Sequence, residues 1–188
     1  MDTALITATN STAFTNQTMK NTPLYSFEHK QVWARVLSVH DGDTITCVIE
    51  SFPGLFFRYN VRLDGIDTSE MTSKDTVLKD FAELARNRLI AYITDGAVQL
   101  DKNVHYTRNT IIQKLESDVY LVYLACSKMD KYGRILAQVY KNAPATAAAT
   151  ATADAAALES ESANNMLIRE GYALPYDGGK KQDRTAAP

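Results

Sequence analysis

Cysteine is scarce in this 188-residue chain, which contains only Cys47 and Cys126. Two cysteines cannot form a disulfide framework or a cysteine-only zinc site. Both lie in apolar, strand-like runs, which favours buried free thiols; a disulfide or a reactive thiol is the alternative.

A strong net charge is also missing, because 20 basic and 22 acidic side chains leave a formal charge of −2. This balance argues against a protein that coats nucleic acid by bulk electrostatics, so any contact with a polyanion requires a local cluster of cations.

No apolar run approaches the roughly 18 residues of a membrane span. The first 21 residues also lack the charged start and apolar core of a secretory signal. We therefore expect an intracellular protein without membrane contact, with the choice between cytoplasm and nucleus left open.

The chain is long enough for one globular domain with a sizeable core, and its hydrophobic share of 45% suits that organisation. Residues 1–22 are rich in small polar side chains, which predicts a disordered N-terminal tail. The domain is expected at residues 23–179, with a low-complexity Ala/Thr insertion at 143–157. Residues 180–188 are expected to form a disordered C-terminal tail.

The order of local patterns predicts a small barrel. Three β-rich segments, at residues 32–39, 45–49 and 56–63, are separated by the Asp41–Gly42–Asp43 turn and by a Pro–Gly turn at 51–54. A glycine in such a hairpin turn usually supplies a positive φ. Apolar residues then recur at three- and four-residue steps up to Ile93, after a cap at Thr72 or Ser73.

The second half of the pattern contains further strands and a last helix. We expect strands at residues 97–104, 110–115, 119–126 and 135–140, and a helix at 158–170 that stops at Gly171. Five or six short strands with one inserted helix favour a Greek-key barrel over a parallel α/β sheet.

Three clusters of charged residues could carry chemistry. Arg62 is followed by Asp67 and Glu70, a DGDT turn lies upstream at residues 41–44, and a DKYGR turn lies downstream at 130–134. Each cluster alone is compatible with a plain turn or with a solvated loop held by salt bridges. However, an arginine and two carboxylates crowded at one strand end are costly unless a cation and a phosphate share the site. Together the clusters therefore suggest a metal-assisted phosphodiesterase.

The succession of motifs resembles the staphylococcal nuclease (thermonuclease-like) family. It runs from Asp-Gly-Asp-Thr through Arg-Leu-x-Gly-Ile-Asp-Thr-x-Glu and a helix to Asp-Lys-Tyr-Gly-Arg, and continues into the segment from Asn164 to Ala173. The resemblance covers roughly Val32 to Tyr176. It implies an α+β fold, with an OB-fold-type five-stranded Greek-key β-barrel and inserted and C-terminal helices. It also implies calcium-dependent cleavage of DNA and RNA.

The resemblance assigns metal and water chemistry to the acidic motifs. Asp43 and Asp67 are implied as carboxylate ligands of Ca²⁺, with the backbone carbonyl of Thr68 as a third ligand. Glu70 is implied as the residue that activates or orients the attacking water. Two carboxylates and a carbonyl leave coordination positions for water and a phosphate oxygen, which suits the large shell of calcium.

The resemblance assigns substrate contacts to the basic and aromatic residues. Arg62 and Arg134 are implied as the two arginines that bind the phosphate, for which the planar guanidinium is well suited. Lys131 and Tyr132 are implied as contacts of a terminal phosphate. The family has tyrosines near the C-terminal end of its domain that stack on a base, and Tyr176 is the one match to them in this chain.

The chain departs from the family pattern in three places. Ser69 stands where the family usually has proline, a strand-like insertion occupies about 105–117, and the Ala/Thr tract lengthens the approach to the last helix. All five arginines and carboxylates of the motif are retained.

The resulting hypothesis is a monomeric, calcium-dependent endonuclease that cleaves single- or double-stranded DNA and RNA with little sequence preference. The alternative is a catalytically inactive OB-fold module that only binds nucleic acid or a partner.

Overall fold

The computed structural model describes residues 14–144 and 161–179. The predicted C-terminal tail, nearly all of the Ala/Thr tract, the first 13 residues and the start of the predicted last helix lie outside these ranges. Residues 15–22 form turns and irregular backbone, and residues 14–22 are exposed throughout. In the described residues, no helix is long and apolar enough to cross a membrane.

Five strands close into a barrel in the order β1-β2-β3-β6-β5. They are β1 (Gln31–Val39), β2 (Thr44–Phe52), β3 (Leu55–Leu63), β5 (Leu121–Met129) and β6 (Ile135–Tyr140). The β3–β6 pair is parallel, and the other neighbours are antiparallel. With its three described helices the molecule has the predicted α+β, OB-fold-type architecture, and the predicted strands at 32–39, 56–63, 119–126 and 135–140 are confirmed to within a few residues.

Buried and exposed side chains alternate along the strands, and the buried ones fill the barrel. On β2, Ile45, Cys47 and Ile49 are at most 1% exposed, while their neighbours are exposed or half-buried. Successive side chains of a strand point to opposite faces, so one face of each strand forms the core. Each fully buried aliphatic side chain contributes about 1.5–3 kcal/mol.

Both cysteines are buried free thiols, as predicted. Burial raises the pKa of the Cys126 thiol to about 11 and raises the pKa of Cys47 further. Neither thiol is therefore ionised near neutral pH, which leaves both as small core residues.

Helix α1 (Thr76–Ile93) packs its buried face against the barrel and the last helix. Its N-cap is Asp75, whose carboxylate accepts hydrogen bonds from the backbone N–H groups of Val77 and Leu78, so the predicted cap at Thr72 or Ser73 was three or two residues early. The helix ends at Ile93, the last residue of the predicted apolar pattern, and the Asp–Gly pair 95–96 that follows has positive φ at both residues.

Two of the predicted strands are wrong. Residues 97–104 form a loop, because the barrel closes through the β1–β5 pair and leaves this segment no partner strand. Residues 110–115 belong to helix α2 (Arg108–Glu116), so the insertion expected to be strand-like is helical. The β-branched run at 110–112 suggested a strand, but the buried pair Ile111 and Leu115 has the four-residue spacing of a helix face.

Helix α3 (Ala163–Arg169) is followed by Gly171 at φ 77°, which confirms the predicted stop. Beyond it, β7 (Leu174–Pro175) pairs with β4 (Ile66–Asp67) in a small second sheet that the sequence did not predict. This pairing holds the segment after β3 in place, and that segment contains Asp67 and Glu70 of the candidate site.

Candidate active site

Arg62 lies at the centre of an acidic cluster. Its Nη1 donates to Asp43 Oδ1 at 2.8 Å, and its Nη2 donates to Asp67 Oδ1 at 3.0 Å and to the Ile66 carbonyl at 3.2 Å. Arg62 is placed next to the DGDT turn because it pairs with Thr44 in the β2–β3 ladder. The structure therefore unites the first two motifs around one guanidinium.

Asp43 is the most deeply buried member of the cluster, with 2% of its surface exposed. It accepts hydrogen bonds from the Thr44 hydroxyl at 2.9 Å and from the Thr68 backbone N–H at 3.2 Å. Burial raises the pKa of Asp43 to about 7, the negative charge of Asp41 acts in the same direction, and Arg62 opposes both. The effects of burial and of Asp41 on the pKa of Asp43 therefore outweigh the opposite effect of Arg62.

Asp41 extends the negative region towards Glu70. Its pKa is raised mainly by burial and also by the charge of Glu70, while hydrogen bonds with Asp43 lower it. Glu70 is itself exposed and lies three residues beyond Asp67. The carboxylates of this cluster thus outnumber the Arg62 guanidinium. An added cation would reduce the repulsion between them.

Gly42 permits the DGDT turn to lie close to α1 and to the loop after β4. A Cβ added there would lie 2.7 Å from the Cβ of Ala85 and 2.8 Å from Cγ2 of Thr68. Gly42 is not among the glycines with positive φ, so the expectation of a positive φ in this turn is wrong. Close approach, rather than backbone conformation, explains the glycine.

Arg134 is held by the turn that precedes it. Asp130 Oδ1 accepts the backbone N–H groups of Tyr132 and Arg134, each at 2.9 Å, and Asp130 Oδ2 accepts from Arg134 Nε at 2.7 Å. Burial acts to raise the pKa of Asp130, but these hydrogen bonds outweigh it and the pKa is lowered. Gly133 takes φ 80°, which a non-glycine residue adopts only with strain.

A cleft of about 730 Å³ brings the predicted substrate residues together. Arg62 lines it from β3, and the other predicted members line it from the 130–134 turn and the C-terminal segment: Lys131, Tyr132, Arg134 and Tyr176. The pairing of β3 with β6 explains this convergence, because it places Arg62 opposite Leu136, two residues after Arg134.

Aromatic rings flank both arginines. The Tyr176 ring lies 5.9 Å from Cζ of Arg62, and the Tyr132 ring lies 5.7 Å from Cζ of Arg134. Tyr176 is positioned just after β7, where its backbone N–H donates to the Gly65 carbonyl at 2.9 Å. These rings restrict the guanidinium planes and offer apolar faces at the cleft.

The donor chemistry fits a calcium ion. Asp43, Asp67 and the Thr68 carbonyl would offer oxygen ligands only. The pKa of Asp43 is raised mainly by burial and further by the negative charge of Asp41, and a bound cation would oppose both effects. No group of three or more His, Cys, Asp or Glu that could hold a metal was found within residues 14–144 and 161–179. The predicted set has only two carboxylates, so a cation here would complete its shell with carbonyl, water and phosphate oxygens.

Asp41 and Asp130 are functional candidates that the sequence did not assign individually. Both belong to motifs that were singled out, Asp41 as the first residue of DGDT and Asp130 as the first residue of DKYGR. Their importance lies in contacts to neighbours, since Asp41 shapes the charge at Asp43 and Asp130 orients Arg134. A motif position alone does not reveal such supporting contacts.

A closed OB-type barrel with an acidic cluster, beside a cleft lined by two arginines, defines a nuclease-like class of protein. The sequence matches the model of the family described as staphylococcal nuclease homologue over residues 60–187. The chain belongs to that family. Arg62, Asp67 and Arg134 lie within the matched range, whereas Asp43 precedes it and is joined to the site by its contact with Arg62. No curated protein matches the sequence at a significant level.

Proposed function

We propose that this protein is a calcium-dependent nuclease that hydrolyses phosphodiester bonds of DNA and RNA, cutting within the chain and with little sequence preference. The observation that carries the proposal is Arg62, which is held by Asp43 and Asp67 and also lines the cleft that contains Arg134. Family membership supports the same class of activity.

The two arginines bind and orient the scissile phosphate. Each guanidinium has five N–H donors, so Arg134 retains donors for phosphate oxygens after Nε has bonded to Asp130. Donors that are fixed in advance stabilise the charge that develops on the phosphoryl oxygens in the transition state. Removing one such donor costs on the order of 3 kcal/mol in the barrier.

The acidic residues supply the remaining roles. Asp43, Asp67 and the Thr68 carbonyl would hold Ca²⁺, which when bound would stabilise charge on the phosphoryl oxygens. Glu70 accepts or orients the proton of the attacking water, for which its exposed position gives it access to solvent. Lys131 and Tyr132 contact a terminal phosphate, and Tyr176 stacks on a base beside Arg62.

The first experiment compares cleavage of single-stranded DNA, duplex DNA and RNA in calcium and in chelator. We expect cleavage in calcium only. Calcium alone should also raise the melting temperature, because a ligand that binds the native state stabilises it. The shift should disappear in Asp67→Asn. Absence of both cleavage and a calcium-dependent shift would contradict the proposal.

The second experiment isolates the role of Glu70. Glu70→Gln should reduce the single-turnover cleavage rate by about 10²-fold or more, with little change in binding, because it removes a proton acceptor. Glu116→Gln is the matched control, since Glu116 is an exposed carboxylate at the end of α2 and does not line the cleft. Wild-type cleavage by Glu70→Gln would remove Glu70 from the mechanism. Binding without any cleavage by the wild-type protein would instead favour the inactive binding module.

A further inference from the structure

The outward face of β3 leads directly to the candidate active site. Val61 and Leu63 point into the barrel and are fully buried, so the residues that alternate with them point outward. These outward residues are Phe56, Arg58, Asn60 and Arg62, hereafter the β3 row. At about 3.4 Å per residue the row spans about 20 Å, from the β2–β3 hairpin to the cleft.

Neighbouring strands add to the same face. Arg35 on β1 pairs with Val48 on β2, which pairs in turn with Arg58, so two arginines lie in one line across three strands. Trp33 lies two residues before Arg35, on the same outward face of β1, and is 49% exposed. The face therefore carries two exposed aromatic rings near the hairpin and arginines between them and the cleft.

The exposed groups on this face are available for a ligand. Phe56 is 63% exposed, so its ring is open to stacking. Among residues 14–144 and 161–179, Arg58 takes part in no salt bridge. The carboxylate across from Phe56 is Glu50, which accepts a hydrogen bond at 2.6 Å from the backbone N–H of Gly54 in the hairpin turn.

We propose that the β3 row, together with Trp33, is an extended binding surface for single-stranded nucleic acid that guides the chain into the cleft at Arg62. This inference rests on the proposed function and adds the form of substrate that the protein selects. Exposed rings stack on unpaired bases of any sequence, and an unpaired arginine attracts the backbone phosphates. A duplex hides its base faces and would lose the stacking contribution. An OB-type barrel binds about 4–16 nucleotides, which is compatible with the length of the row.

Continuity with the cleft favours nucleic acid over a protein partner as the occupant. Asn60, between Arg58 and Arg62, is held by the Thr46 hydroxyl, which donates to its Oδ1 at 3.0 Å, so the row continues without interruption to the arginine that binds phosphate. The other apolar side chains near the hairpin, including Phe57, lie on the opposite face of the strand and do not lead to the cleft.

The test measures binding of single-stranded oligonucleotides of 2 and 20 nucleotides and of a duplex, all in chelator. Phe56→Ala should weaken binding of the 20-mer by about 5- to 150-fold, the range for loss of one stacked base. The loss for the dinucleotide and for the duplex should be smaller. Arg58→Ala should reduce the slope of log affinity against log salt by about 0.7 for the single strand. Trp33 is the only tryptophan, so its emission should change on binding of the 20-mer.

Phe57→Ala is the matched control, because Phe57 is the adjacent residue on the opposite face and is also about half exposed, at 49%. It should leave all affinities unchanged. Equal effects of the two phenylalanine variants would overturn the proposal, since they would indicate a general apolar contact such as self-association. An equal loss for long, short and duplex ligands would also overturn it. Urea unfolding of each variant identifies any loss that arises from misfolding, and Phe56→Tyr, which keeps a ring, should retain affinity for the 20-mer if stacking is the cause.

Cleavage assays separate this proposal from the proposed function. If the wild-type protein cleaves no nucleic acid, the nuclease proposal fails, while the binding comparison in chelator still decides the role of the β3 row. If the wild-type protein cleaves and Phe56→Ala keeps the same preference for long over short substrates, the nuclease proposal stands and the binding surface is refuted.

Discussion

Replacement of Asn164 by alanine should destabilise the fold more than any substitution on the surface of the last helix. Asn164 is 1% exposed, its Oδ1 accepts from the Val139 N–H at 3.0 Å, and its Nδ2 donates to the carbonyls of Asp64 at 2.8 Å and Ala137 at 3.1 Å. One amide thus joins α3 to β6 and to the turn between β3 and β4.

The size of this destabilisation depends on which hydrogen bonds the three partners of Asn164 keep in the variant. The Asp64 carbonyl still accepts from Gln138, and the Ala137 carbonyl still accepts from the Asp64 N–H, so each loses one bond worth about 0.5–1.5 kcal/mol. The buried Val139 N–H loses the partner that Asn164 provides, which costs about 1–3 kcal/mol. We therefore expect a loss of about 4 kcal/mol, equivalent to a fall of about 8–16 °C in melting temperature.

Asn164→Asp tests the same argument by its pH dependence. A carboxylate can still accept from Val139 but cannot donate to two carbonyls, so its folded-state pKa should lie above the unfolded value of about 3.9. The deficit in stability of this variant should therefore be smallest below about pH 4 and increase as the pH rises. The assay is urea unfolding at several pH values. Asn165→Ala, at the exposed neighbouring position, is the control and should change stability by less than about 0.5 kcal/mol. Equal stability of the alanine variants at 164 and 165 would refute the reasoning.

Three further substitutions test other parts of the structure. Arg134→Lys should lower single-turnover cleavage about 100-fold while reducing binding less, because lysine keeps the charge but not the planar fork. Gly42→Ala should cost about 1–3 kcal/mol in urea unfolding through its contact with the Cβ of Ala85. Glu170→Gln should cost about 1 kcal/mol at pH 7, because it removes the negative charge and one of the two oxygens that accept bonds, at 2.6 and 2.8 Å, from Arg88.

Each of these substitutions has an outcome that contradicts its premise. Normal cleavage by Arg134→Lys would make that arginine a surface cation on a turn. For Gly42→Ala, a double variant with Ala85→Gly that loses as much stability as the two single variants combined would show that contact with Ala85 is not the cause. The bonds from Arg88 hold the pKa of Glu170 below its usual value of 4.5, against the effect of burial, so the stability they give is present at neutral pH and lost as the pH falls through that lowered pKa. A cost of Glu170→Gln that does not decrease as the pH falls below 4.5 would therefore exclude the ion pair as its origin.

Local patterns predicted most of the barrel, because a half-buried strand alternates regardless of its partners and a turn requires particular residues wherever it lies. The strand at residues 135–140 and the glycine stop at 171 were predicted to the residue. The segment at 110–115 was not, because β-branched residues fit a strand locally, and only burial against the barrel selects a helix there.

The sequence by itself determined the residue types of the candidate site, since three motifs contain the carboxylates and arginines that such a site requires. The tertiary structure alone decided how they meet. The β2–β3 register places Arg62 against Asp43, and the parallel β3–β6 pair places it near the turn that contains Arg134. The small β4–β7 sheet, formed by segments more than 100 residues apart in sequence, holds Asp67 and positions Tyr176 over Arg62. Contacts between such distant segments depend on closure of the whole barrel, and no local pattern specifies them.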